Sequence, residues 1–583
     1  MKFSTARTGA VRSAGLILTL GLCLLALACG GARTPTPPVT IPTPTPRPNL
    51  LWNAGFLDDA SAWQVQSQNP VAALTLNRDQ AGFVTVSLGQ AVRPESAGWT
   101  QTLAVEPEAA YYVSYRVRTD KLAGLADLRL AFYDRAGRRL WETGVAAAAG
   151  DTPWTTWERR LRAPPGAVRA TVWLGVAGAT AGQAALGEPL ISPDDAPLGR
   201  ALIVDYVQEA GTLRSLHQAN LTAATRLLAP DGVGTRGLAA LDLRALFPYA
   251  VGDPEDPASY RFQAADALLA AVAETGAGIF FRLGGGHEGM SASRWAQVAA
   301  GVATHYNSDE PTPIRYWEVE QEPGQPAERY CERLAATMRA LKAQGSGLRV
   351  GGPGLAMPAC LPQLEAILAG LVERDVRADF VSWRSEDGGN PWALAALEVR
   401  LERLLDRYGL GDVELINSGW GPVGAETAWA AACDAAHLAA SASYWQDTRL
   451  AQAYRDAHAD LSGGELTATG HAFRLLGELR QTPRRLVAQG GDSLGFTVLA
   501  GKSDDGRTVH ILIADTGSRS QEYRLALAGF PRGYRYTVTE VSPECQGEVV
   551  AQGSSEGLSD GVLTLPWRAP AVHLIRVWWG GGE

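Results

Sequence analysis

The chain has 583 residues, 46% of them hydrophobic and 19% charged, and 52 basic against 61 acidic side chains leave a formal charge of −9. That length exceeds what one core fills and predicts two to four domains. The acidic balance, with no basic run, excludes nucleic acid and an anionic membrane surface as partners.

The N-terminus reads as an export signal. Lys2, Arg7 and Arg12 precede an apolar run, Ala14–Ala28, that is short for a membrane span and soon gives way to proline-rich sequence. The run ends Leu25-Ala26-Leu27-Ala28-Cys29-Gly30, which resembles a bacterial lipoprotein cleavage box and implies Cys29 as the lipidated first residue of the mature chain. Simple secretion is the alternative, since Ala26-x-Ala28 also suits an ordinary signal peptidase. The expected address is the bacterial cell surface, with the lipid anchor as the only membrane contact. Threonine and proline then alternate over 34–48, a semi-rigid polyproline spacer of roughly 45 Å at about 3.1 Å per residue. The expected domains are a signal at 1–28, a linker at 29–48, and folded parts at 49–197, 198–482 and 483–583.

Residues 49–197 predict an all-β sandwich of jelly-roll type. Short alternating runs recur at Phe83–Leu88, Tyr111–Val117, Leu128–Tyr133 and Ala167–Val176, with Gly, Pro and Asp between them. The opening NLLWNAGF (Asn49–Phe56), Gln101 before LAVEPEAAYYVSYRVR, and PWTTWERRLRAPPGAVRATVWL resemble carbohydrate-binding modules of families 4 and 9. The resemblance implies glycan binding. Leu57 and Gly187-Glu188 stand where those families place acidic residues, so their calcium site is not carried over. Trp99, Trp141, Trp157 and Trp173 are either stacking platforms for a pyranose or, the reading a sandwich of this size favours, core.

Residues 198–482 alternate apolar runs with amphipathic helices, the pattern of a (β/α)8 barrel. The expected strands are Leu202–Tyr206, Gly278–Leu283, Ile314–Glu322, Leu348–Gly352, Ala378–Arg384 and Val413–Trp420. The expected helices are Ala264–Thr275, Ser293–Tyr306, Ala327–Gln344, Leu361–Val372, Trp392–Tyr408 and Thr427–Gln446. Residues 483–583 return to alternating β runs and predict an accessory sandwich. Cys331, Cys360, Cys433 and Cys545 allow three pairings, of which Cys331–Cys360, in adjacent segments, is expected. No CxxC or HxH spacing occurs among the eight scattered histidines, so neither a structural zinc nor another cofactor is expected.

Functional residues of such barrels stand at strand exits. The run ending Glu322-Pro323 puts Glu322 at one, because proline cannot continue the ladder. The ordered segments LFPYAVGDPEDPASYRFQAADALLAAVAETGAGIFFRLG, THYN, YWEVEQEP, LRVGGP and DFVSW, over most of 240–460, resemble the barrel of glycoside hydrolase family 39, which includes xylosidases and iduronidases. The resemblance implies a clan A barrel acting on an oligo- or polysaccharide, with Glu322 in the acid/base position of the WNEP motif. Gln321 replaces the Asn that bonds the sugar 2-hydroxyl, and Glu320 replaces the Trp. Further along, Arg384 and Glu386 replace a His and an aromatic. Arg384 is expected to pair with Glu386; neutralising Glu322 and binding an acidic sugar are the alternatives.

The nucleophile strand departs furthest. Where the family reads roughly Leu-Asn-Glu-Trp, this chain reads Leu415-Ile416-Asn417-Ser418-Gly419-Trp420. Aligning on Asn417 puts Ser418 at the carboxylate position, and aligning on Trp420 puts Gly419 there. Glu414 lies about 13 Å down the strand, at roughly 3.3 Å per residue, and is too deep to serve. Retaining cleavage needs two carboxyl groups about 5–5.5 Å apart. The expectation is therefore a carbohydrate-binding protein of glycosidase ancestry with weak or absent retaining activity. Trp317, Trp383, Asn417 and Trp420 are named with Gln321, Glu320 and Arg384 as sugar contacts, rim packing being equally open to the tryptophans. The alternatives are an active hydrolase with Glu322 as acid and Glu386 as base, and a surface protein that binds no sugar.

Overall fold

In the computed structural model the described residues are 47–580, apart from 57–60, 68–73, 79–81, 90–92, 221–235, 274–275, 286–288, 308–313, 321–324, 386–388, 422–426, 457–460 and 463–464. The signal run, Cys29, Leu57, Gln321, Glu322 and Glu386 therefore lie outside the described residues. Among the described residues no helix is long and apolar enough to cross a membrane.

The first folded part is an antiparallel eight-stranded sheet system. Gln64–Ser67, Glu95–Ala104, Arg169–Pro193, Phe83–Leu88 and Leu74–Arg78 pair in that order, and Ala110–Tyr133 pairs with Arg169–Pro193, Arg139–Gly144 and Ala148–Arg162. The two longest strands, of 24 and 25 residues, shift register several times along their shared ladder. Alternation explains what they bury: Leu128, Leu130 and Phe132 are inside, whereas Arg129, Ala131 and Tyr133 are only half-buried.

Eight parallel strands then close a barrel: β1 (Gln218–Asn220), β2 (Arg236–Asp242), β3 (Gly278–Gly284), β4 (Tyr316–Val319), β5 (Arg349–Ala356), β6 (Phe380–Ser385), β7 (Glu414–Trp420) and β8 (Leu450–Arg455). The helices between them follow the sequence pattern closely. Ala327–Gln344 matches to the residue and buries Tyr330, Leu334, Thr337 and Leu341 at helical spacing. Ala428–Tyr444 is alanine-rich and buried nearly all round, because it packs against strands of the last sheet as well as its neighbouring helices. Thr427 caps it, accepting from the Ala430 amide at 3.2 Å.

One expected barrel strand belongs elsewhere. Leu202–Tyr206 lies within Gly199–Thr212, a strand of the last, nine-stranded sheet, parallel to Glu522–Ala528 and antiparallel to Arg484–Gln489. The reason is visible in its faces: Leu202 and Val204 are buried while Ile203 is 42% exposed. That is the period-two pattern of a one-sided strand, whereas barrel strands are covered on both faces. The barrel therefore begins at β1, whose three residues are too few to register as a run.

The expected Cys331–Cys360 bridge is also corrected, since all four cysteines of the folded region are free. Cys331 faces the helix–helix core, where its thiol donates to the Ile367 carbonyl at 3.4 Å, and Cys360 precedes the next helix.

The three folded parts lock together within one compact unit that starts at Pro48. Arg160 reaches Asp194 at 3.1 Å and Asp492, in the last part, at 2.5 Å. Arg400, on the barrel helix Pro391–Arg407, donates to Thr152 Oγ1 and the Ala149 carbonyl, both at 3.0 Å. Asn390 caps that helix and donates to the Glu158 carbonyl at 2.6 Å. The first sheet thereby abuts the exit of β6.

Candidate functional site at the barrel mouth

Residues facing the barrel axis form layers. The middle layer is apolar: Leu238, Phe280, Tyr316, Phe380, Ile416 and Tyr454 pack together, with ring centroids of Phe280 and Tyr454 4.9 Å apart. It plugs the barrel beneath the strand exits. Glu414, as expected, is below the plug, where Tyr316 donates to it at 3.0 Å and Arg349 lies 3.4 Å away.

Above the plug stands a buried ion pair. Arg282 Nε donates to Glu318 Oε2, and its Nη2 donates to the Ser418 carbonyl at 2.8 Å. Burial pulls the Arg282 pKa down, but the Glu318, Glu320 and Asp456 carboxylates outweigh it and hold the guanidinium above its usual range. This cation is fixed beneath the mouth at any physiological pH.

The mouth itself carries Asp242 at the end of β2, Glu320 just past β4, Arg384 on β6, Gly419 on β7, Asp456 just past β8 and Asn220 at the end of β1. Arg384 Nη2 lies 3.1 Å from Glu320 Oε1, and its Nε donates to the Gly354 carbonyl at 2.8 Å. Among the described residues the carboxylate partner of Arg384 is Glu320; the expected partner, Glu386, lies outside the described residues. Glu320 is pushed above the ordinary carboxylate range by burial, with Arg282 and Arg384 pulling against it and Glu318 and Asp242 adding to it. Glycines give these groups room: a Cβ on Gly284 would stand 2.5 Å from Glu320 Oε2.

The pairing of β7 decides which of its residues takes the inward place. Against β6, Trp383 pairs with Asn417 and Arg384 pairs with Gly419, so Ser418 is the extra residue of a bulge. Ser418 is wholly buried, its hydroxyl donating to the Trp383 carbonyl at 3.4 Å, and it is not presented to the mouth. Asn417 is buried too: its amide donates to Ser385 Oγ at 3.2 Å and accepts from the Gly419 amide at 3.2 Å. Gly419 takes the inward place beside Arg384. A Cβ there would lie 3.2 Å from Arg384 Cγ and Cδ and 3.5 Å from Asp456 Oδ2.

The tryptophans named as sugar contacts are packing residues. Trp317, Trp383 and Trp420 are fully buried in the core between strands and helices. Trp317 lies 4.7 Å from Phe281 and Trp420 4.8 Å from Trp445, ring centroid to centroid. Strand alternation decides this, because their neighbours Glu318, Arg384 and Gly419 take the inward face. Trp99 is buried 6.4 Å from Phe56, and Trp157 is half-buried against the same core. In the first folded part the exposed tryptophan is Trp52, 74% accessible, with its amide and carbonyl held by Gln101 at 2.7 and 2.8 Å.

Sequence reasoning missed Asp242, Arg282, Glu318, Asn220 and Asp456. Two signals were there to use: a lone arginine inside the apolar run Gly278–Gly284, and aspartates closing the runs Leu238–Asp242 and Leu450–Asp456. Among the described residues, no group of three His, Cys, Asp or Glu side chains is placed to hold a metal ion.

No family model matches the chain, and no curated protein matches it. Solved structures do. A glucosidase from Croceicoccus marinus aligns with TM-score 0.58 at 24% identity, and a monomeric β-xylosidase from Caulobacter crescentus with 0.52 at 16%. A bifunctional glucanase-xylanase from a metagenome library aligns with 0.50 at 12%. Each alignment covers 66% of this chain and 100% of the other. With its closed barrel of eight parallel strands, the chain shares the barrel fold of these structures.

Proposed function

We propose that this is an exported, lipid-anchored protein that binds an oligo- or polysaccharide at the barrel mouth, with retaining cleavage weak or absent. Export and anchoring rest on the basic residues, apolar run and Cys29 of the N-terminus. Binding is supported by a mouth that sets carboxylates and guanidiniums over an apolar floor, the donors and acceptors that sugar hydroxyls require. The shared fold points the same way.

The observation that carries the reading is Gly419 in the inward place of β7, with Arg384 and Asp456 closing on the space its side chain would fill. A covalent glycosyl intermediate needs a second carboxylate about 5–5.5 Å from the acid, and glycine in this place offers none. The solved neighbours are named as a glucosidase, a xylosidase and a glucanase-xylanase, so gluco- and xylo-oligosaccharides are the first ligands to test. The mature protein should bind such immobilised oligosaccharides, yet 2-deoxy-2-fluoro glycosides should leave its mass unchanged. A stoichiometric fluoroglycosyl adduct would overturn the loss of retaining chemistry.

A further inference from the structure

We propose that Asp456 takes over the work of the absent β7 carboxylate and, with Glu320, makes the mouth an inverting glycoside hydrolase that uses water directly. This rests on the reading that the mouth binds a glycan and adds a reaction to it. In the reaction, a water oxygen bonds to the anomeric carbon on the face opposite the leaving group, and Asp456 takes the water's proton. The bond from the anomeric carbon to the glycosidic oxygen breaks, and that oxygen receives the proton of Glu320. Electrons and protons balance with water as the sole co-reactant.

Three observations carry this. Asp456 is placed firmly: its amide donates to the Trp420 carbonyl at 3.1 Å, and its Oδ1 accepts from Asn220 Nδ2 on β1. That leaves Oδ2 3.5 Å from the point where a Gly419 side chain would begin, beside the emptied position. A carboxylate at that point no longer has to come from β7.

Topology then selects the mechanism. In the closed order of eight strands, β4 and β7 are three steps apart, whereas β4 and β8 are four steps apart and stand diametrically across the mouth. Moving the second carboxylate from β7 to β8 shifts it by one interstrand spacing, about 4.8 Å. Retaining pairs stand about 5–5.5 Å apart, and inverting pairs about 6.5–9.5 Å apart to admit a water. The strand positions of the two carboxylates therefore stand further apart than those of β4 and β7, the direction inversion requires.

The third observation concerns Glu320. It is held at the opposite rim by Arg384, whose aliphatic chain fills the Gly419 side of the mouth. Burial raises the Glu320 pKa against the pull of Arg282 and Arg384, the direction a general acid needs.

The test uses the mature full-length protein with gluco- and xylo-oligosaccharides and their aryl glycosides. Product anomers are read by proton NMR, and binding is read by calorimetry on the same ligands. The expected result is an inverted first product, with activity reduced at least about 100-fold in both Asp456→Asn and Glu320→Gln. Glu320→Gln should recover on a 2,4-dinitrophenyl glycoside, whose leaving group needs no proton, and Asp456→Asn should not. Circular dichroism confirms that each variant is folded. A retained product overturns the proposal, as does an active Asp456→Asn, or loss confined to Glu322→Gln with Glu320→Gln fully active. Tight binding without hydrolysis overturns it while leaving the binding reading intact. Absence of any binding overturns both.

Discussion

Glu398 sits wholly buried on the helix Pro391–Arg407, and among the described residues neither of its carboxyl oxygens has a hydrogen-bond partner. Burial, helped by Glu402 and opposed by Arg214 and Arg449, pushes its pKa up from 4.5 to about 8. The folded state thus holds a proton that the unfolded state releases in between. Its contribution to stability is complete below the unfolded pKa of 4.5 and is lost as pH rises towards about 8. Glu398→Gln should remove that dependence. In urea titrations the variant should gain on the wild type between pH 5 and 8 by on the order of 2–4 kcal/mol, and a constant difference across that range would refute the account. The Arg282–Glu318 pair makes the opposite case, because each partner is buried with the other's charge. Glu318→Gln takes the directly bonded carboxylate from a buried guanidinium and should cost about 3–5 kcal/mol, read from the same titrations.

At the scale of elements, β7 determines the chemistry of the mouth. Its bulge turns Ser418 away and brings Gly419 inward, and the strand then leaves the barrel through Gly421 at φ +113°. A Cβ on Gly421 would fall on the buried Arg455 guanidinium, in a backbone region that side chains rarely adopt. Gly421→Ala should therefore destabilise by roughly 2–4 kcal/mol, visible as an earlier urea midpoint. The sequence shows β3 to β7 and the helices beside them, because Ala327–Gln344 or Phe380–Ser385 carries its own periodicity, but it named neither Arg236–Asp242 nor Leu450–Arg455 as a strand. It could not settle whether Ser418 or Gly419 faces inward: a bulge is set by pairing with β6, and nothing local in LINSGW marks it. The inward or outward aim of Trp317, Trp383 and Trp420 follows from the same register, which only the closed barrel fixes.

At the scale of the whole molecule, the barrel and the last sheet are bound by one strand. Gly199–Thr212 precedes the barrel in sequence but fills an interior place in the nine-stranded sheet, between Arg484–Gln489 and Glu522–Ala528. A fragment of residues 198–583 should fold and melt cooperatively, below the full chain because it loses the Arg160 and Arg400 contacts. A fragment of 213–583 exposes two unpaired edges inside a sheet and should aggregate, which gel filtration would show. The order of elements, β runs, then alternating strands and helices, then β runs again, was legible from the sequence. The swap of this strand was not, because its partners Arg484–Gln489 and Glu522–Ala528 lie hundreds of residues away.

The central claim, that the barrel mouth is where a glycan binds, is tested most directly by calorimetric titration of gluco- and xylo-oligosaccharides into the mature protein and into Glu320→Ala/Asp456→Ala. Hydrogen bonds to charged groups contribute about 1.5–3 kcal/mol each, so the double variant should bind at least about tenfold more weakly while its circular dichroism shows it folded at the titration temperature. Equal affinity in the two proteins would contradict a site at the mouth.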